Sequence, residues 1–226
     1  MYPRFITHRS GWTIGVNTRS TMDAEARTAT RSRENTRARL LDAAAEVFAE
    51  VGLDAASVEA VCDRAGFSRG AFYSNFDSKG ELFLALVERS SSEKLDLVAD
   101  RVRTLDRTAA PDPSLLVPQI VDVSLGGMEP RLVSELRTQA LRDERMAEAY
   151  LRLQDGIVER VRVIVDDIRK VYELRFRLPI TEVAQLMVDL SDATCERAAV
   201  EGLGEAETTR LLHERIGQLA TALLDA

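Results

Sequence analysis

Arg69, Tyr73, Ser74, Asn75 and Lys79 fall within eleven consecutive residues, with Ser57, Ser68, Gly70 and Ala71 close by. Each brings a distinct group. A guanidinium is a planar fork of donors suited to guanine O6 and N7, or to a phosphate. A tyrosine hydroxyl at the end of a rigid ring reaches a phosphate with little loss of entropy. Ser74 and Asn75 can donate to phosphate or read a base, and the Lys79 ammonium adds a point charge. Gly70 and Ala71 are small enough to let backbone approach a base edge or a thymine methyl, although packing would also favour small residues there. The combined chemistry is that of contact with duplex nucleic acid.

The surrounding pattern supplies the elements that would position these groups. Leu40, Leu41, Ala44, Val47, Phe48 and Val51 recur at helical spacing, which predicts a first helix over about 34–51. Gly52 is placed to end it in a left-handed conformation. Ser57 can cap a second helix, with Glu59 in its first turn and Val58, Val61 and Ala65 on its buried side. Ser68 can cap a short third helix over Arg69 to Ser74, beyond the turn Ala65-Gly66-Phe67-Ser68. Ser78 and Glu81 form a capping-box pattern opening a fourth helix to about residue 104. Phe67, Phe72 and Phe76 fit the core between these helices better than base stacking. Helix, turn and short exposed helix in this order are the layout of a helix-turn-helix, whose last helix enters a major groove.

Charge agrees once it is divided. The chain of 226 residues has a net charge of −7, but residues 1–90 carry 12 basic and 12 acidic side chains, and the remainder 18 and 25. The acidity therefore belongs to the later part, while Arg27, Arg31, Arg33, Arg37 and Arg39 gather ahead of and within the first helix. Residues 1–33 show no sustained period and read as a mobile arm, able to follow a minor groove or to serve as a solvated tail. Met22 is an alternative start to Met1.

Other chemistries find little support. Cys62 and Cys195 are far apart in helical patterns, and His8 and His213 have no Cys or His cluster beside them, so neither a disulfide nor a metal site is expected. No Gly-rich phosphate loop or nucleophile elbow occurs, no carboxylate stands out, and no cofactor or enzymatic activity is expected. No apolar run approaches the roughly 20 residues that cross a bilayer, and the first twenty residues lack a signal-peptide pattern. The expected location is the cytoplasm, without a membrane partner.

The string Ala65-Gly66-Phe67-Ser68-x-Gly70-x-Phe72-Tyr73-x-x-Phe76-x-x-Lys79, with Ala44, Phe48, Gly52 and Ser57 before it, resembles the TetR family of bacterial transcription regulators. The resemblance covers about 50 residues of the 226. The family usually has Ile-Ala where Val61-Cys62 stands here, and Glu is common at Gly80; neither departure is expected to disturb a contact. The resemblance implies a homodimer with two DNA-binding heads, a C-terminal ligand-binding and dimerisation domain, and no catalysis. It aligns Tyr73 with a phosphate-contacting tyrosine; together with the chemistry and charge above, the expected DNA contacts are Arg37, Ser57, Ser68, Arg69, Gly70, Ala71, Tyr73, Ser74, Asn75 and Lys79.

Beyond the head, helical patterns continue over about 113–126, 130–141, 143–175, 180–201 and 205–224, with no alternating run. The expected fold is all-α, about nine helices, organised as an arm (1–33), a helix-turn-helix head (34–80) and a helical body (81–226). Apolar stripes at Val183, Leu186, Met187 and Leu190, and at Leu212, Ile216, Leu219 and Leu223, could form a four-helix dimer interface. Packing within one chain would produce the same stripes; the resemblance favours the dimer, hence a palindromic operator. Aromatic residues are few after residue 90, so the expected effector is small and largely apolar, with Met128, Gln139, Tyr150 and Met187 as pocket candidates. The leading expectation is a repressor released by that effector. A transcription activator of the same family, or a ligand-binding or interaction protein that retains an unused head, remain the alternatives.

Overall fold

The computed structural model describes the backbone of residues 18–104 and 130–225, and side chains within 33–104 and 133–225. Among the described residues there are eight helices: α1 (Thr18–Ala55), α2 (Val58–Ala65), α3 (Arg69–Tyr73), α4 (Lys79–Thr104), α5 (Pro130–Ala140), α6 (Glu144–Val171), α7 (Ile180–Glu201) and α8 (Glu205–Leu223). The only strand-like pairing among them is an isolated antiparallel bridge between Phe176 and Leu224. The helix expected over 113–126 lies outside the described residues, as does Met128. By compactness the chain divides into Met1–Ala38 and Arg39–Ala226. The first unit contributes the helical stretch from Thr18 onward, and the core described below belongs to the second.

Two local expectations are corrected. Helix α1 begins at Thr18 and not near residue 34. Residues 24–27, Ala-Glu-Ala-Arg, are good helix formers, but they carry no apolar stripe, which is the signal that periodicity detects. Gly52 does adopt a positive φ, yet with φ 79° and ψ 167° it is extended and not a left-handed helical cap. That combination is essentially open to glycine alone and turns the chain sharply before Leu53.

The caps explain why short helices form here. Ser57 accepts from Ala60 N at 3.0 Å, and Ser68 accepts from Ala71 N at 3.2 Å. Gly66, at φ 71° and ψ 35°, closes α2 in the left-handed conformation, with Phe67 N donating to Cys62 O at 2.9 Å. At α4 the Ser78 hydroxyl accepts from Glu81 N at 3.1 Å, while the Glu81 carboxylate reaches Asp77 N rather than Ser78 N, so the reciprocal half of the box is displaced by one residue.

Leu40, Ala44, Phe48, Leu53, Val61, Phe72, Phe76, Leu82 and Phe83 form one buried core, with the Phe48 and Phe83 rings edge to face at 5.4 Å. This core does not end at α4. Leu136 of α5, 1% exposed, is part of it, and Met146, Tyr150 and Leu153 of α6 pack against it. The Glu135 carboxylate accepts from Leu53 N at 2.9 Å, satisfying an amide left over at the Gly52 turn. A Cβ on Gly80 would lie 2.4 Å from the Met146 methyl, the far end of a flexible side chain that can move aside. Farther on, Val98, Val102 and Ile164 join α4 to α6, and Val158, Ala184 and Val188 join α6 to α7.

Leu136→Ala should therefore destabilise the chain by about 2–5 kcal/mol, as for other fully buried leucines. Thermal unfolding monitored by circular dichroism should stay a single transition at a lower Tm; a separate early transition of the head would contradict the shared core.

Candidate nucleic-acid interface

The recognition-helix candidate α3 is short, and its orientation is set by burial. Phe72 is 0% exposed and Phe76 1%, which turns the opposite face outward with Arg69, Gly70, Tyr73 and Ser74 exposed. Tyr73 is 48% exposed, its ring edge-on to Phe72 at 5.2 Å, so packing steadies the ring while its outer side meets solvent. Ala71 is half-buried, and Ser57 and Ser68 are exposed at helix starts with their hydroxyl lone pairs used as caps.

Arg69 is held on the surface. Its Nη1 donates to the Glu59 carboxylate of α2 at 2.5 Å, and its guanidinium carbon lies 5.9 Å from the Tyr73 ring centroid. The Tyr73 hydroxyl first and the Glu59 carboxylate second push the Arg69 pKa above its usual range. Both partners are exposed, so the pair is weak and exchangeable.

Two other expected contacts, Lys79 and Asn75, are half-buried and bonded to backbone carbonyls. The Lys79 ammonium donates to Leu53 O at 2.6 Å, Ala56 O at 2.9 Å and Asp54 O at 3.2 Å. All three of its N–H groups are thus used to tie the α1–α2 turn to the start of α4, in place of the expected phosphate contact. Asn75 donates to Ala71 O at 2.8 Å and Ser74 Oγ donates to the same carbonyl at 2.8 Å, which closes the end of α3. Arg37 is a half-buried side chain of the first compact unit.

Sequence reasoning missed the residues that fix the head's geometry. Arg39 spans from α1 to the turn, donating to Ala65 O at 2.8 Å with its guanidinium 4.8 Å from the Phe67 ring centroid. Arg64 pairs with Glu46 at 2.8 Å and Glu50 at 2.9 Å, pinning α2 to α1. The Glu50 pKa is lowered by the Arg64 hydrogen bond. The signal was a surplus of arginine facing α1 glutamates, but which of them pair depends on a fold that spacing does not give.

In the body, Tyr150 links the head core to a polar network. Its hydroxyl accepts from Arg137 Nε at 3.0 Å and Gln154 Nε2 at 2.7 Å, while Arg137 also reaches Asp192 at 2.6 Å and Glu196 at 3.1 Å. Burial holds the Asp192 carboxyl above the usual range, against the opposing pull of Arg137. Gln139 and Met187 are half-buried elsewhere on α5 and α7. Of the two terminal stripes, Val183, Leu212 and Ile216 are buried within the chain itself, Met187, Leu190, Leu219 and Leu223 are half-buried, and Leu186 is exposed. No described group of His, Cys, Asp and Glu residues could hold a metal ion, and no described helix is long and apolar enough to cross a membrane.

An exposed polar helix on a buried three-helix core, carried by a longer helical body, defines a helix-turn-helix DNA-binding regulator. Residues 40–86 match the family model for bacterial regulatory proteins of the tetR family. Over that segment the chain is similar to that family. The HTH-type transcriptional regulator UidR of Escherichia coli K12 is 27% identical over 194 residues, 83% of this chain and 94% of UidR. The HTH-type transcriptional activator FasR of Mycolicibacterium smegmatis is 40% identical over 72 residues, which span 32% of this chain and about a third (33%) of FasR. A TetR transcription regulator structure from Haloarcula marismortui has a TM-score of 0.65 at 17% identity, covering 85% of this chain and 100% of that one, and agrees in fold.

Two substitutions separate the interface from its scaffold. Lys79→Met should lower Tm, since hydrogen bonds to a charged donor are worth about 1.5–3 kcal/mol each when broken singly. Tyr73→Phe should leave Tm unchanged and weaken DNA binding. The reverse pattern, measured by thermal melts and fluorescence anisotropy, would contradict these assignments.

Proposed function

We propose that this chain is a ligand-responsive repressor that binds a palindromic operator as a homodimer in the cytoplasm and is released by a small effector. The supporting observation is the exposed face of α3 on its buried base of Phe72 and Phe76. Arg69 reads guanine, Gly70 and Ala71 bring backbone close to base edges, and Tyr73 and Ser57 address phosphates, with Ser68, Ser74 and Asn75 shaping the helix ends. The DNA-binding domain is residues 34–80, and the body from 81 onward carries dimerisation and ligand binding. Dimerisation uses α7 and α8, where Leu186 is 39% and Val200 84% exposed, around the stripes already described. The effector lies against α5, α6 and α7 near Tyr150, where the Arg137–Asp192 network supplies polar groups. Release requires an effector with different affinities for the two states of the dimer.

A transcription activator is the second reading, because FasR, 40% identical over 72 residues, is named an activator. Deleting the gene and measuring neighbouring transcripts separates the two: a rise marks a repressor, a fall an activator.

The test of DNA binding is selection of a duplex from a random library by the full chain, followed by gel shift and sedimentation. Two chains should bind one duplex with two half-sites about one helical turn apart. The affinity should fall with salt at a log–log slope of about −5 to −9, for roughly six to ten phosphates. Failure to select any duplex at low salt would favour a ligand-binding or interaction protein with an unused head.

A further inference from the structure

We propose that Glu59 is a specificity-determining residue, which holds the Arg69 guanidinium on the α2–α3 surface and cancels its charge, so that Arg69 serves a base edge and not a phosphate. The inference rests on the proposed DNA binding through α3. It starts from the pairing of two exposed side chains on different helices, Arg69 Nη1 to Glu59 Oε1 at 2.5 Å, with side chains 59% and 56% exposed.

The position of Glu59 is informative. It stands in the first turn of α2, two residues after the Ser57 cap. A helix N-terminus attracts anions through its unpaired N–H groups and dipole, and in a DNA-binding head that end is a natural phosphate seat. A carboxylate placed there supplies the negative charge itself and repels a phosphate unless a cation covers it. Arg69 is that cation. The pair is therefore neutral where two unpaired groups would be one attractive and one repulsive.

The geometry also bears on base reading. A guanine contact takes two N–H groups of the guanidinium fork. Glu59 engages Nη1, and the Tyr73 ring, its centroid 5.9 Å away, borders the guanidinium on another side, so two neighbours restrict the directions in which the fork can present itself. An arginine biased in this way meets guanine with fewer directions to sample, even though the exposed pair itself is weak and exchangeable. At a wrong sequence it stays with Glu59, and little phosphate attraction is gained by binding there.

The test uses the full chain, the duplex it selects from a random library, the same duplex with each half-site guanine replaced by adenine in turn, and a scrambled duplex. Fluorescence anisotropy over a salt series compares wild type with Glu59→Gln and Arg69→Lys. Glu59→Gln should bind the scrambled duplex about tenfold more tightly at low salt and steepen its log–log salt slope by about 0.9 for each added phosphate contact. Its guanine-over-adenine preference at one half-site position should fall about tenfold. Arg69→Lys, which keeps the charge and loses the fork, should lose that preference while retaining scrambled-duplex affinity. Thermal melts should show all three proteins equally folded. The proposal is overturned if Glu59→Gln leaves slope and preference unchanged, or lowers both affinities in proportion together with Tm, as a packing role would. A wild-type chain that selects no duplex would instead sink the DNA-binding reading itself, and this inference with it.

Discussion

The head is too small to close its own core. A helical unit of roughly fifty residues buries a modest share of its surface and is marginal alone. Here the deficit is made up by Leu136, Met146, Tyr150 and Leu153 from α5 and α6, which complete the apolar set around Phe48, Phe72, Phe76 and Phe83. The same junction satisfies the Leu53 amide with Glu135 and fills the space above Gly80 with the Met146 methyl. The orientation of α3 is therefore set partly by residues that lie some sixty to eighty positions downstream.

This arrangement gives a physical route from body to head. Consecutive residues of α5 face three ways: Glu135 to the Gly52 turn, Leu136 into the head core, and Arg137 to Tyr150, Asp192 and Glu196 of α6 and α7. A packed core switches between discrete arrangements more readily than it deforms continuously. An effector that alters the Arg137 network would be felt at the head through a single short helix, which is the form of coupling that the proposed function requires.

Much of this was legible in the sequence, for identifiable reasons. Caps are local, so Ser57, Ser68 and the Ser78–Glu81 pair announced their helices, and the aromatic spacing Phe72–Phe76 marked the buried side of α3 correctly. The failures are those of long-range geometry. Lys79 reads as a surface cation, yet its ammonium is taken by three carbonyls that lie 23 to 26 residues earlier in the chain. The start of α1 was missed because helix-forming residues without an apolar face leave no periodic trace. For the two terminal stripes, spacing alone left core and interface open, and Val183, Leu212 and Ile216 lie inside the chain.

The central claim is that Arg69 on α3 reads a guanine in a duplex groove. Methylation interference on the selected duplex tests it most directly, because a methyl on guanine N7 blocks the atom that the guanidinium would use. The account predicts that methylation of one guanine in each half-site abolishes binding by the wild-type chain, and that Arg69→Ala binds more weakly but becomes indifferent to the same modification. Interference that persists unchanged in Arg69→Ala, or that appears at no guanine at all, would contradict it.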